Sequence, residues 1–219
     1  MTIYLCGDST MASYTPEEAP LVGWGQVLKE WLPELRIENR AMPGRSTKSF
    51  LAEGRLQQIE KVLKAGDIVV IQFGHNDESE LVWRHTDPWI GYAHNLGIFM
   101  DTARMYGAVP ILMTPLCRRT WRSGKLVPSH GDYPQAMRLA AGQRNVPVID
   151  AYAASQALLS RLGEEESKKL FMHLDKGACP TYPDGLADDT HTRRAGAEAF
   201  ARIALDGLME LGLISGGCI

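Results

Sequence analysis

The segment Gly66-Asp67-Ile68-Val69-Val70-Ile71-Gln72-Phe73-Gly74-His75-Asn76-Asp77 decides the fold of this chain. Residues 68–73 form a short, mostly apolar run after a Gly-Asp turn, which is typical of a strand buried on both faces of a parallel sheet. The polar residues 74–77 follow this strand directly. Because functional sites in such sheets lie beyond the carboxyl ends of the strands, the segment predicts a central strand and part of a site at its end.

Four other short apolar or alternating runs predict strands, at residues 3–6, 35–39, 109–113 and 146–149. Apolar residues at helical spacing predict helices over residues 22–31, 46–64, 89–105, 133–143, 152–162, 164–172 and 193–211. This alternation predicts an α/β fold in which βαβ units build a five-stranded parallel sheet. The 219 residues contain no repeat or linker, so we expect a single domain over 1–219.

The composition argues against several classes of protein. The net charge is −3 and no basic run is interleaved with aromatic residues, so we expect no nucleic-acid partner. We find neither a signal peptide nor a membrane span, and we therefore expect a cytoplasmic protein without a membrane partner. No two cysteines form a C-x-x-C pair, which predicts no zinc site, and in a chain of this size without a secretion signal we expect reduced thiols. The four cysteines are Cys6, Cys117, Cys179 and Cys218.

Three polar segments follow the first three predicted strands, and they contain Ser9, Gly44 and Asn76. A serine hydroxyl needs a base to become a nucleophile, and His191 fits that role. Asp188 lies three residues before His191, so one turn can present both side chains, although the neighbouring Asp189 is an alternative partner. The N–H groups of Ser9 and Gly44 and the side-chain amide of Asn76 fit an oxyanion hole.

These residues resemble the blocks of the SGNH (GDSL-type) hydrolases. The blocks are Gly7-Asp8-Ser9, Gly44, Gly74-His75-Asn76-Asp77 and Asp188-Asp189-Thr190-His191, in the family's order over nearly the whole chain. The resemblance implies the SGNH hydrolase fold, a flavodoxin-like three-layer sandwich. It also implies a serine esterase that needs no cofactor and no metal.

A narrower resemblance is to the rhamnogalacturonan acetylesterases, which remove acetyl groups from galacturonic acid residues of pectin. It depends on residues 7–12, 23–25, 44–50, 72–77, Thr114-Pro115 with Arg118, and the segment from Asp188 to Gly196-Ala197. Two positions depart from that family's pattern: Thr192 stands where an aromatic residue is expected, and Asp189 replaces a small residue. The expected substrate is thus an acetylated rhamnogalacturonan oligosaccharide. The alternatives are a lysophospholipase or thioesterase of the same fold, or an inactive sugar-binding protein.

Several other side chains have two interpretations at this stage. His75 is expected to be structural rather than catalytic, and the histidines without metal-ligand spacing are expected to have no role: His85, His94, His130 and His173. The tryptophans of the irregular segments either stack on sugar rings or anchor loops: Trp83, Trp89 and Trp121. Arg45 and Arg118 either bind a uronate carboxylate or form structural ion pairs.

Overall fold

A central parallel sheet organises the computed structural model, which describes residues 1–215. The strands are β1 (Thr2–Gly7), β2 (Arg36–Asn39), β3 (Ile68–Gln72), β4 (Val109–Met113), β5 (Trp121–Arg122), β6 (Lys125–Leu126), β7 (Val148–Ile149), β8 (Phe171–Leu174) and β9 (Leu186–Thr192). The helices are α1 (Trp24–Trp31), α2 (Thr47–Ala52), α3 (Arg55–Glu60), α4 (Ala93–Met105), α5 (Tyr133–Arg144), α6 (Ala151–Ser167) and α7 (Arg194–Glu210).

The sheet has the strand order β2-β1-β3-β4-β7, and all its pairings are parallel. Alternate residues of β1 point to opposite faces, as a pleated strand requires. Ile3 and Leu5 join a core with α1, α6 and α7, whereas Tyr4 and Cys6 join a second core with α2 to α5. The expected α/β fold with a five-stranded parallel sheet between two helical layers is confirmed.

The order of the strands also positions the site. The chain runs outward from β1 to β2 on one side and from β3 to β4 and β7 on the other. The carboxyl ends of β1 and β3 therefore flank the point where the winding reverses, where parallel sheets leave a crevice. Ser9 follows β1 by two residues, and Asn76 follows β3 by four.

The helix predicted over 46–64 is two helices, because the chain turns between α2 and α3. Gly54 precedes α3 with φ of 68°, a left-handed conformation that interrupts a helix and that glycine adopts at little cost. The apolar spacing places Leu56, Ile59, Val62 and Leu63 on one face; three of them are buried, but Val62 is 45% exposed. The apolar spacing identified the buried face and missed the break.

The C-terminal third contains further corrections. The helix predicted over 164–172 is wrong at its end, since a 3-10 turn (Lys168–Leu170) leads into β8. The hairpins β5–β6 and β8–β9 are not predicted, and the strand expected over 146–149 is reduced to β7. The helix expected from residue 89 begins with a wider π turn (Pro88–Tyr92) ahead of α4. In α7, Phe200, Ala204 and Leu208 are buried, whereas Leu211, just after the helix, is 37% exposed.

None of the helices within residues 1–215 combines the length and the apolar character needed to cross a membrane. Cys6, Cys117 and Cys179 are free thiols. Cys218 lies outside the described residues.

Candidate active site

Ser9 lies in a tight turn at the carboxyl end of β1. The carboxylate of Asp8 accepts hydrogen bonds from the backbone N–H of Thr10 at 3.0 Å and from its hydroxyl at 2.8 Å, which fixes the turn. The hydroxyl of Tyr14 donates to the carbonyl of Ser9 at 2.7 Å. These bonds hold the Ser9 side chain at the carboxyl edge of the sheet, where it is 7% exposed.

Ser9, His191 and Asp188 form a continuous hydrogen-bonded chain. Ser9 Oγ is 2.9 Å from His191 Nε2, and His191 Nδ1 is 2.7 Å from Asp188 Oδ2. Burial by itself raises the pKa of Asp188, but hydrogen bonds from the His191 ring and backbone outweigh it and lower that pKa to about 2. The carboxylate is therefore ionised at neutral pH and accepts a hydrogen bond from Nδ1–H, which leaves Nε2 free to accept the serine proton.

Asp188 and His191 lie on β9, and the turn predicted to present both side chains is present within this strand. Phe171 and Met172 of β8 are adjacent, but they pair with Thr192 and Asp188, which are four residues apart. The intervening residues bulge out of the hairpin. Asp188 Oδ1 closes this bulge by accepting from the N–H groups of Thr190 at 2.7 Å and His191 at 3.0 Å. The bulge thus places both side chains on the same side.

Two adjacent arginines hold the bulge of β9. Arg118 donates to the Thr190 hydroxyl and pairs with Glu78 at 2.9 Å. Arg119 is 4% exposed and binds Asp189 through its backbone at 2.9 Å and through its guanidinium at 2.8 Å. His173 also contacts the Asp189 carboxylate, at 2.7 Å. Asp189, the alternative partner for His191, is thus engaged by Arg119 and His173.

The two positions that depart from the family pattern both support β9. Asp189 binds Arg119, as described above. The hydroxyl of Thr192 donates to the carbonyl of Val22 at 2.6 Å, and the carbonyl of Thr192 accepts from the N–H of Val22 at 3.0 Å. Thr192 therefore ties the end of β9 to the segment that precedes α1.

Three residues of the cleft wall offer hydrogen-bond donors: Ser9, Gly44 and Asn76. Gly44 has φ of 78° and lines the same cleft as Ser9 and Asn76. Within residues 1–215, the N–H groups of Ser9 and Gly44 donate to no protein acceptor. Asn76 Nδ2 donates one hydrogen to the carbonyl of Arg45 at 3.0 Å, which leaves its second hydrogen free. This arrangement can bind a developing oxyanion.

A buried polar network lies beneath these donors. His75 is 3.1 Å from the carboxylate of Asp8, and burial lowers the pKa of His75 to about 4. His75 also packs edge-on against His130, with ring centroids 4.4 Å apart. His130 in turn bonds to Glu78 at 3.0 Å. His75 thus has the structural contacts that were expected, and His130 and His173, which were expected to be incidental, also form hydrogen bonds to carboxylates.

An open cleft of about 590 Å³ contains the site. Its walls mix polar and apolar side chains: Ser9, Tyr14, Glu18, Leu21, Pro43, Gly44, His75, Asn76, Arg84, Arg118, Met172, Tyr182, Leu186, Asp188, Thr190 and His191. Tyr14, Arg84 and Tyr182 were missed from the sequence, because each comes from a loop whose path no local pattern specifies. Within residues 1–215, no cluster of three or more histidine, cysteine, aspartate or glutamate side chains is arranged to hold a metal ion.

The arginines and tryptophans singled out from the sequence have mostly structural contacts. Arg45 pairs with Glu53 at 3.0 Å. Of the described residues that line the cleft, none is a tryptophan. Trp89 donates to Asp132 at 3.2 Å, whereas Trp83 is 51% exposed beside the cleft residue Arg84.

The sequence and the fold match known proteins over nearly the whole chain. Residues 5–199 match the GDSL-like lipase/acylhydrolase family. The rhamnogalacturonan acetylesterase RhgT of Bacillus subtilis is 42% identical over 96% of this chain and 90% of its own length. The probable rhamnogalacturonan acetylesterase YesY of the same organism is 38% identical over 96% and 94%. A crystal structure of YxiM from Bacillus subtilis has a TM-score of 0.79 at 29% identity, and the match covers 98% of this chain and 57% of that one.

Proposed function

This chain belongs to the GDSL-like lipase/acylhydrolase family and is a carboxylic ester hydrolase, and we propose that it removes O-acetyl groups from rhamnogalacturonan oligosaccharides. The observation that carries the proposal is the hydrogen-bonded chain from Ser9 through His191 to Asp188, which opens onto a wide, partly polar cleft. Two relatives named as rhamnogalacturonan acetylesterases support the substrate class.

In the proposed mechanism, Ser9 Oγ attacks the acetyl carbonyl carbon while His191 Nε2 accepts the hydroxyl proton. Asp188 orients the imidazole and stabilises its protonated form. The N–H groups of Ser9 and Gly44 and the Asn76 amide donate to the oxyanion that forms on the carbonyl oxygen. His191 then gives its proton to the departing sugar oxygen, and an acetyl ester remains on Ser9.

The second half of the cycle uses the same residues. Water enters the cleft, His191 Nε2 accepts one of its protons, and the oxygen attacks the acetyl-Ser9 carbonyl carbon. The ester bond to Ser9 breaks, His191 returns the proton to Ser9 Oγ, and acetate leaves. Hydrolases with a covalent intermediate generally use the same base for the formation and for the hydrolysis of that intermediate.

The test is acetate release from acetylated rhamnogalacturonan oligosaccharides by the wild type and by Ser9→Ala. Loss of the nucleophile in a serine hydrolase lowers kcat by about 10⁶, so the variant should be inactive while its circular dichroism is unchanged. Ser160→Ala, at an exposed position of α6, is the matched control and should keep wild-type activity. A folded Ser9→Ala protein with more than about 1% of wild-type turnover would contradict the mechanism.

A further inference from the structure

Arg84 lines the cleft, and its positive charge is not paired there. Its Nη1 donates to Asn76 Oδ1 at 3.0 Å, and its Nε is buried without a hydrogen-bond partner. None of the ion pairs formed within residues 1–215 includes Arg84. A guanidinium without an ion-pair partner in the wall of a catalytic cleft can bind an anionic ligand.

Of the other charged groups of the cleft wall, Asp188 and Arg118 are in ion pairs, whereas Glu18 has hydrogen bonds but, like Arg84, is in none of the ion pairs formed within residues 1–215. Glu18 accepts from the N–H of Thr15 at 2.9 Å. Asp188 is bound by His191, and Arg118 by Glu78 at 2.9 Å. Arg118, one of the two arginines that the sequence suggested for a uronate, is therefore neutralised inside the protein, whereas Arg84 is not.

Two contacts fix the position of the Arg84 guanidinium. Its Cζ lies 5.3 Å from the centroid of the Trp83 ring, which supports it from one side. Its Nη1 contacts the same side-chain amide that has one hydrogen left for a substrate oxygen. A group bound by this guanidinium would therefore lie beside the ester that reacts with Ser9. A guanidinium forms charge-assisted hydrogen bonds with carboxylates, so the positive charge of Arg84 favours a carboxylate as that group.

We propose that Arg84 binds the carboxylate of an acidic sugar next to the acetyl ester, so that it is a specificity-determining residue for uronate-containing substrates. The inference rests on the proposed carbohydrate acetylesterase function. It adds to that function the residue that distinguishes an acidic acetylated glycan from a neutral one.

The test compares two acetylated oligosaccharides that differ only at the carboxyl group: an acetylated galacturonate-containing oligosaccharide and the same compound after reduction of its carboxylates to alcohols. The kcat/KM ratio of acidic to neutral substrate is measured for the wild type, Arg84→Gln, Arg84→Lys and Arg40→Gln. Arg40 is the matched control, because it pairs with Glu38 at 3.3 Å and is not part of the cleft wall. Arg84 also contacts Asn76, so its loss should lower kcat on both substrates, and only the ratio reports on the carboxylate.

The expected wild-type preference for the acidic substrate is about 10- to 100-fold, the range that a charge-assisted hydrogen bond supplies. Arg84→Gln should abolish this preference, Arg84→Lys should keep part of it, and Arg40→Gln should match the wild type. The wild-type preference should also shrink as salt is added, because a partly solvated charge pair is screened. This salt series tests the proposal even where Arg84→Gln does not fold.

Three outcomes would overturn either the proposed role of Arg84 or the proposed function, and the measurements distinguish them. A folded Arg84→Gln protein that keeps the full preference would exclude Arg84 as the carboxylate-binding residue. A wild type without any preference would exclude carboxylate recognition and leave the acetylesterase function standing. A wild type that hydrolyses p-nitrophenyl acetate but releases no acetate from either oligosaccharide would overturn the proposed function itself.

Discussion

Asp188 and Asp189 are neighbours in the chain, but their carboxylates face different partners. Asp188 accepts from the His191 ring and from two backbone N–H groups of the β9 bulge. Asp189 is bound by Arg119 and His173 on the other side of the strand. The bulge of β9 thus gives the two carboxylates different partners, which is why they are not interchangeable.

Substitution of each aspartate by asparagine separates their roles. Asp188→Asn should lower kcat by about 10⁴, because the amide cannot hold the imidazole in the tautomer that accepts the Ser9 proton. Asp189→Asn keeps an oxygen for Arg119 and should change kcat by less than about tenfold. Steady-state kinetics on p-nitrophenyl acetate provide the measurement. Equal losses in both variants would mean that β9 as a whole, and not Asp188, sets the activity.

The pKa of Asp188, lowered to about 2, predicts the acid side of the pH profile. As pH falls, the Asp188 carboxylate stays ionised until about pH 2, so it continues to orient the imidazole at every pH above that value. Protonation of Asp188 should therefore contribute nothing to a decrease of log(kcat/KM) above about pH 4, and the slope there should not exceed one per pH unit. A slope of two, or a decrease that begins only near pH 3, would indicate that a carboxylate controls the rate.

The sequence predicted Ser9, Gly44 and Asn76 as site residues because each follows a predicted strand, and parallel strands end at a common edge. It did not identify Tyr14 or Arg84. Their positions depend on loop paths and on contacts such as Arg84 to Asn76, which no periodicity encodes.

At the scale of elements, β9 is the support of the site. It carries Asp188 and His191, and its bulge is held by Arg118 and Arg119, which come from the segment after β4. The sequence placed a turn here correctly but not the hairpin, since the polar run from Asp188 to Thr192 has neither the alternation nor the apolar content of a typical strand. The helix break at Gly54 was missed because the apolar residues keep their helical spacing across it, so the pattern predicts one continuous helix.

Gly54 and Gly142 provide a matched pair for testing the break between α2 and α3. Gly54→Ala should lower the free energy of unfolding by about 1 kcal/mol, because an alanine at φ of 68° is strained. Gly142 is exposed within α5, and no atom lies within 4 Å of an added Cβ. Gly142→Ala should therefore raise that free energy by about 0.5–1 kcal/mol. Urea denaturation measures both changes, and a stabilised Gly54→Ala protein would contradict the strained-glycine explanation.

At the scale of the whole molecule, the strand order brings together residues that are far apart in the chain. Ser9 and His191 are separated by 182 positions, yet their side chains lie within hydrogen-bond distance. The alternation of strands and helices was enough to predict the layered sheet, because each buried strand needs helices on both faces. The small hairpins β5–β6 and β8–β9 have strands too short or too polar for such a pattern, so only the tertiary structure shows them.

The shape of the cleft predicts how the rate depends on the acyl chain. Its apolar lining residues Leu21, Pro43, Met172 and Leu186 are interspersed with tyrosines and charged groups. They do not form the continuous apolar wall that an acyl chain requires. Each methylene buried in such a wall would contribute about 0.8 kcal/mol, so a lipase-like site would gain roughly fourfold in kcat/KM per methylene.

A p-nitrophenyl ester series from acetate to octanoate should therefore show kcat/KM highest for acetate and falling with chain length, because longer acyl groups would meet polar groups beside Ser9. Acetylated rhamnogalacturonan oligosaccharides in the same assay should release acetate. If kcat/KM instead rose steadily to octanoate and no acetate came from the oligosaccharides, a lysophospholipase or thioesterase would be the better description. The hydrogen-bonded chain of Ser9, His191 and Asp188 would serve that reaction equally, since only the acyl and alcohol portions of the ester would differ.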